Sequence, residues 1–302
     1  MPRKGIGRAS SKTKSPEVWS INRDRVSALR ENKRKEMAHA KDMAQRLGVA
    51  PAPKRDIADG QSERLHVRIA HAGICSRRAA EKLILEGRVE VNGHIVVELG
   101  YKVAADDVIR VDGQTIKAAK FYTVLLNKPT GVVTTLSDPQ GRPTILKYMP
   151  DYGVQLKPVG RLDMDTEGLL LCTNDGDLAH RLAHPRYGVE KEYQAIVVGI
   201  PTEEELTALR TGVYIDGKRT APAVVEVIHA ESKTNTTGLR IILHEGRKRQ
   251  VRLMCESVGH PVKSLKRVRY GPLRVRGMRL GEAKLLGKKE VDELRSLVGL
   301  PI

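Results

Sequence analysis

Gly160-Arg-Leu-Asp-Met-Asp-Thr-Glu-Gly-Leu-Leu-Leu-Cys-Thr-Asn-Asp175 decides how this chain is read. Its second half, Leu169–Thr173, is a short apolar run of the kind that forms a buried strand. Its first half is a polar loop that delivers Asp163 to the edge of that strand, two residues after Arg161. A carboxylate beside a guanidinium can stay ionised at neutral pH, available as nucleophile or base. The whole chain is basic, with 53 Lys+Arg against 36 Asp+Glu and a formal charge of +17. An acidic cluster in such a chain is not the part that binds a polyanion. It reads as the place where chemistry is done on something the basic surface holds.

At 302 residues the chain has room for about two domains of roughly 100–200 residues each. The charge excess favours nucleic acid as partner. Residues 1–60 carry 15 Lys+Arg and 7 Asp+Glu, a net of +8, which leaves +9 for residues 61–302. The excess therefore belongs to the folded part as well as to the tail. One Trp, eight Tyr and one Phe are too few for a platform of stacked bases, so recognition of backbone and shape in folded RNA fits better. Cys75, Cys172 and Cys255 stand far apart with no ligand spacing and read as core thiols in a reducing compartment. No apolar run approaches the roughly 18 residues of a membrane span, and the N-terminus lacks a secretory apolar core. A cytoplasmic monomer is expected.

Residues 1–60 read as a basic extension, disordered or partly helical, with a candidate helix over Val26–Leu47 and a linker at Pro51-Ala-Pro53. Residues 63–115 read as a compact unit. Leu65, Ile69 and Ala72 have helical spacing, Ser76 is an N-cap for a second helix, and Asn92-Gly93 marks a hairpin turn. Arg64, Arg68, Arg77 and Arg78 fall on the helical exteriors and are candidate RNA contacts. In residues 120–301 strands are expected at Tyr122–Leu126, Leu169–Thr173, Glu192–Val198, Ala223–His229, Leu239–Leu243 and Val262–Val268. Helices are expected at Asp177–Ala183, Thr202–Thr211, Arg247–Val258 and Val291–Leu297. The order is not a regular strand–helix alternation. It predicts an α+β chain: a small helical and strand RNA-binding module, then a mixed, mainly antiparallel sheet flanked by helices.

Besides the Asp163 loop, three segments concentrate functional residue types. Leu125-Leu-Asn-Lys-Pro-Thr-Gly131 is a strand running into a turn with Lys128 at its tip. Glu190-Lys-Glu-Tyr-Gln194 opens a strand with Tyr193. His244-Glu-Gly-Arg-Lys-Arg-Gln-Val-Arg252 reads as a glycine opening a cationic helix. At such a helix start Arg247, Lys248 and Arg249 would be placed for phosphates, because the helix amides add partial positive charge.

These four motifs, in this order, resemble the rRNA pseudouridine synthases of the RsuA/RluB family over residues 121–273. Ala72-Gly-Ile-Cys-Ser-Arg-Arg-Ala-Ala-Glu81 and Gly87-Arg-Val-Glu-Val-Asn-Gly93 resemble the alpha-L RNA-binding module of the S-four ribosomal protein family. The resemblance covers about 210 of 302 residues and leaves out residues 1–60. It implies an isomerase that converts a uridine of ribosomal RNA, with a slight inclination to the large subunit, into pseudouridine without a cofactor. It implies Asp163 as the catalytic aspartate, Arg252 as a basic partner paired with it, and Tyr193 as the aromatic stacked on the target uracil. It leaves open whether Asp163 attacks the sugar, attacks the base or acts as a general base. Arg161 is expected to secure the loop or a flipped-out phosphate, and Lys128 to touch RNA. The competing reading is a non-catalytic rRNA-binding or ribosome-assembly factor, against which stands the joint presence of Asp163, Arg252 and Tyr193.

Two lookalikes fail on their own chemistry. Asp163-x-Asp165-x-Glu167-Gly168 imitates the start of a calcium loop, but its twelfth position is Asn174, not a bidentate Glu. His180 and His184 sit one turn apart without a third ligand, so no metal is expected. Asp165 and Glu167 are expected to fix the loop and not to react.

Overall fold

The computed structural model describes residues 62–117 and 120–302, with positions 31, 38, 42, 45, 46 and 48 besides. Apart from those positions, the expected N-terminal extension lies outside the described residues. Contacts divide the chain into two compact units, Met1–Ala118 and Ala119–Ile302.

In the first unit β1 (Ser62–Arg64), α1 (Leu65–His71) and α2 (Arg77–Leu85) precede five short strands. These are β2 (Val89–Val91), β3 (His94–Ile95), β4 (Lys102–Ala104), β5 (Ile109–Val111) and β6 (Gln114–Thr115). The sequence signals act as expected: the Ser76 hydroxyl accepts from the Ala79 amide at 3.2 Å and starts α2. Asn92 and Gly93 both take positive φ, the two-residue turn that joins β2 to β3. Leu65, Ile69, Ala80 and Ile84 from the helices meet Val89, Val91, Ile109 and Val111 from the strands in one small core.

The second unit is built on nine strands. In chain order these are β7 (Thr123–Lys128), β8 (Lys157–Pro158), β9 (Glu167–Thr173), β10 (Lys191–Val198), then β13 (Val224–Glu231), β14 (Thr236–Leu243), β15 (Val262–Tyr270), β16 (Leu273–Arg274) and β17 (Ala283–Leu285), with β11 (Tyr214–Ile215) and β12 (Lys218–Arg219) as a separate hairpin. Its helices are α3 (Gly176–Ala183), α4 (Glu203–Thr211), α5 (Gln250–Ser257) and α6 (Lys288–Leu297). The main sheet runs β13-β14-β10-β15-β9-β7-β17, with β16 on β15 and β8 on β9. Every ladder in it is antiparallel except the short parallel contact of β9 with β15. This is the mixed, mainly antiparallel sheet that the strand order predicts.

Two apolar clusters cover one length of sheet each. Leu169, Leu171, Leu178, Leu182, Leu294 and Val298 join β9 to α3 and α6. Ala195, Val197, Leu206, Leu209, Leu239, Met254 and Leu265 join β10, β14 and β15 to α4 and α5. The parallel contact of β9 with β15 depends on one residue. Gly168 has φ +107°, and a Cβ there would lie 2.2 Å from the Arg267 carbonyl oxygen. The glycine that closes the acidic loop is thus required by the backbone crossing it. Cys172 and Cys255 are buried among apolar side chains, which pushes both thiols up to about 12 and keeps them protonated.

Candidate active site

The loop 160–167 leads into β9 at the point where β9 meets β15, and its backbone is held from several sides. Thr134 clasps Leu162 from both sides, its hydroxyl donating to Leu162 O at 2.6 Å and accepting from Leu162 N at 3.2 Å. Gly131 N donates to Met164 O at 2.8 Å, and the loop closes on itself through Thr166 N to Asp163 O at 3.1 Å. Lys128 Nζ donates to Thr166 O at 2.8 Å and Pro129 O at 2.9 Å. Glu167 meets Lys266 at 3.3 Å.

The strongest clamp is on Asp165. Arg249 reaches both of its carboxylate oxygens at 3.2–3.3 Å. Arg252 Nε lies 3.2 Å from Asp165 Oδ2, while its Nη2 donates to Asp165 O at 2.8 Å and its Nη1 to Val262 O at 3.0 Å. The expected pairing of Arg252 with Asp163 is therefore corrected: Arg252 pairs with Asp165. Among the described residues no donor lies within hydrogen-bond or ion-pair range of the Asp163 carboxylate. One carboxylate is locked so that the other, two residues away, is held in place by its backbone alone and left free.

That free carboxylate lines a cavity of about 660 Å³, within the range of small-molecule sites and large enough for a nucleoside. Arg161, Asp163 and Thr166 form one wall, and Glu245, Lys248 and Arg249 another. Lys191, Tyr193, Arg267 and Tyr270 rise from β10 and β15. Tyr193 is half-buried and pairs in register with Arg267, so it shares the cavity with Asp163.

Three other sequence expectations change. Lys128 does not stand at a turn tip. It is the last residue of β7 and 0 % exposed, so it cannot reach an RNA phosphate and instead fixes the Thr166 carbonyl. Burial pushes its ammonium down to about 8, against the opposing fields of Asp165, Asp163 and Glu167. The helix expected from Arg247 starts at Gln250, because Arg249 adopts φ +52° as its N-cap and Gln250 Oε1 accepts from Arg247 N at 2.9 Å. Arg247 folds back, donating to Lys218 O at 3.0 Å and Arg219 O at 2.6 Å. Of the three cations there, Lys248 faces solvent with no partner among the described residues. In the first unit Arg64, Arg77 and Arg78 are exposed, whereas Arg68 is drawn onto Glu63 at 2.7 Å.

Sequence reasoning passed over Lys191, Arg267 and Tyr270. The available signal was periodicity. Lys191 shares one face of β10 with Tyr193, Ala195 and Val197, and Arg267 shares one face of β15 with Leu265, so both cations point inward with the core set.

The family model described as RNA pseudouridylate synthase matches residues 122–257, and that described as S4 domain matches residues 63–109. The Ribosomal large subunit pseudouridine synthase B of Bacillus subtilis (strain 168) is 45% identical over 235 residues, spanning 78% of this chain and 96% of that one. The chain belongs to the RNA pseudouridine synthase family. An uncharacterized RNA pseudouridine synthase of Aquifex aeolicus (strain VF5) is 41% identical over 239 residues, covering 78% of this chain and 95% of its own. A crystal structure of a pseudouridylate synthase superposes with a TM-score of 0.55 at 30% identity, covering 76% of this chain and 99% of that one. A pseudouridine synthase is an isomerase.

Proposed function

We propose that this chain converts one uridine of large-subunit ribosomal RNA into pseudouridine, with Asp163 as the reacting carboxylate. The observation that carries the reading is the unpaired Asp163 carboxylate facing the cavity from a loop whose backbone, and whose Asp165 and Glu167 carboxylates, are held. The Bacillus subtilis relative, named a ribosomal large subunit pseudouridine synthase, supports that substrate class.

The target nucleotide leaves its stack and enters the cavity, at a cost of a few kcal/mol. Stacking on Tyr193 returns about 1–3 kcal/mol of it. The Asp163 carboxylate acts from the ribose side as the bond from C1′ to N1 breaks. The base turns and is rejoined through C5, so no atom is gained or lost and no redox step occurs. Clamping by Arg252, Arg249 and Lys128 supplies a fixed position, not a proton, which is the entropy-saving part of catalysis. Arg161 and Lys248, exposed at the rim, take the flanking phosphates, and Arg64, Arg77 and Arg78 bind RNA from the first unit. Such a substrate places the protein, acting as a monomer, in the cytoplasm.

Chemical pseudouridine mapping of total rRNA tests this in cells lacking the protein and complemented with wild type or Asp163→Asn. One large-subunit mark that disappears, returns with wild type and not with the variant is the expected result. A mark confined to another RNA overturns the substrate, and a mark restored by Asp163→Asn overturns the site.

A further inference from the structure

The cavity floor holds two buried cations that the reading above does not use. Lys191 is 5 % exposed and Arg267 is 3 % exposed. Among the described residues neither has a carboxylate within ion-pair range. Among the described residues Lys191 Nζ has one hydrogen-bond acceptor, the His244 carbonyl at 3.5 Å. Arg267 donates Nε to Leu169 O at 2.7 Å, while its Nη2 is buried without a partner. Both lie against one ring: Lys191 Nζ is 5.4 Å and the Arg267 guanidinium carbon 5.0 Å from the centre of Tyr270. The Tyr270 hydroxyl is committed to Leu182 O at 2.7 Å, so it is the ring face that the cations meet.

Two unpaired buried charges side by side are expensive, and structural economy does not explain them. The rim of the same cavity already offers the exposed Arg161 and Lys248 to backbone phosphates. The floor lies where the base goes. We propose that Lys191 and Arg267 form an anion hole that carries the negative charge of the detached uracil during isomerisation. This rests on the pseudouridine synthase reading and extends it to the second half of the reaction.

The chemistry requires such a group. When the bond from C1′ to N1 breaks heterolytically, its electron pair stays on the base and spreads over N1, O2 and O4. An oxygen of Asp163 bonds to C1′ in its place. After the base has turned, C5 bonds to C1′ and the bond to Asp163 breaks, returning its electrons to the carboxylate. The C5 proton is then lost and N1 gains one. Throughout the turn the base is an anion that must be kept in the cavity without being locked in one orientation. An ammonium, a compact charge with three rotatable donors, can follow a turning ring. Preorganised positive charge aimed at developing negative charge is the usual device for such steps.

Lys191 also supplies a readout that a structural lysine would not. Burial, with Arg267 adding repulsion, lowers its pKa to about 8, so it is charged below that pH and neutral above it. The other titratable groups lining the cavity are Asp163, Tyr193, Glu245 and Tyr270, with the cations Arg161, Arg247, Lys248, Arg249 and Arg267, and the buried Tyr270 phenol is pushed up to about 12.

The test uses the whole 302-residue chain in excess over total rRNA from cells lacking it, with single-turnover pseudouridine formation and RNA affinity measured in parallel. Lys191→Met is expected to slow conversion of bound RNA by about 100-fold or more while affinity changes less than about twofold. Wild-type conversion should fall as pH rises through about 8, and Lys191→Arg should move that fall to higher pH while keeping part of the rate. Arg267→Lys should slow conversion in the same way, and melting curves separate these effects from misfolding. Undiminished conversion by Lys191→Met overturns the proposal. So does a loss of affinity that excess protein fully repairs, which would make the pair a phosphate grip. If the wild type binds RNA but forms no pseudouridine, the enzymatic reading itself fails and the anion hole with it.

Discussion

The acidic loop 160–167 and the basic segment 244–252 have opposite charge and meet at Asp165, yet they use their charges differently. In the loop, hydrogen bonds to Leu162, Met164 and Thr166 fix the backbone and leave the Asp163 side chain open. In the basic segment the side chains do the fixing: Arg247 holds the β11–β12 hairpin, Arg249 and Arg252 hold Asp165, and Lys248 faces solvent. The difference teaches that a run of cations is no direct measure of a binding surface. Charges that sit beside a reactive loop are consumed in immobilising it, and the residue left without a partner is the one with a function still to perform.

Removing what fixes the loop should cost most. Gly168→Ala places a Cβ against the Arg267 carbonyl at a positive φ, and is expected to destabilise by on the order of 3 kcal/mol or more, seen as a lowered denaturation midpoint. A substitution tolerated without loss would show that the contact of β9 with β15 does not set the loop. Next comes Arg252→Ala, which frees Asp165 from one of its two arginines and orphans the Asp165 and Val262 carbonyls. It should cost about 1–3 kcal/mol of stability and about 100-fold in turnover, with RNA affinity nearly kept.

The buried lysines sharpen the contrast through pH. Lys128 and Lys191 both have pKa values lowered to about 8 in the folded chain, against an ordinary 10.5. Between those values the unfolded chain binds more protons than the folded one, so each lysine makes stability rise as pH increases from about 8 to 10.5. A Lys128→Met variant should lose part of that rise, and denaturant titrations at pH 7 and pH 10 measure it. Equal slopes for variant and wild type would mean that Lys128 is not buried as a cation. The smallest effect belongs to Lys248→Ala. Its affinity loss should be modest and sequence-independent, with the dependence of binding on log salt reduced by about one unit.

Much of this architecture is legible in the sequence. The apolar run at Leu169–Thr173, the Ser76 cap and the Asn92-Gly93 turn each form the element their local chemistry specifies. What escaped was tertiary. Residues 247–249 have good helix propensity, but Arg249 turns left-handed and Arg247 bonds to a hairpin some thirty residues earlier, so α5 starts late. The partner of Arg252 could not be read, because Asp163 and Asp165 are two residues apart and only the loop's backbone decides which one turns toward it. Lys191 and Arg267 were passed over because a charge in a strand reads as surface, although their period-2 spacing with Ala195, Val197 and Leu265 put them on the inward face.

The most direct test compares Asp163→Asn with Asp165→Asn, measuring single-turnover pseudouridine formation on total rRNA from cells lacking the protein alongside thermal melting. The account predicts that Asp163→Asn abolishes conversion with an unchanged melting temperature, whereas Asp165→Asn lowers the melting temperature and slows conversion without abolishing it. Full conversion by Asp163→Asn, or complete loss of conversion in Asp165→Asn with unchanged melting, would contradict it.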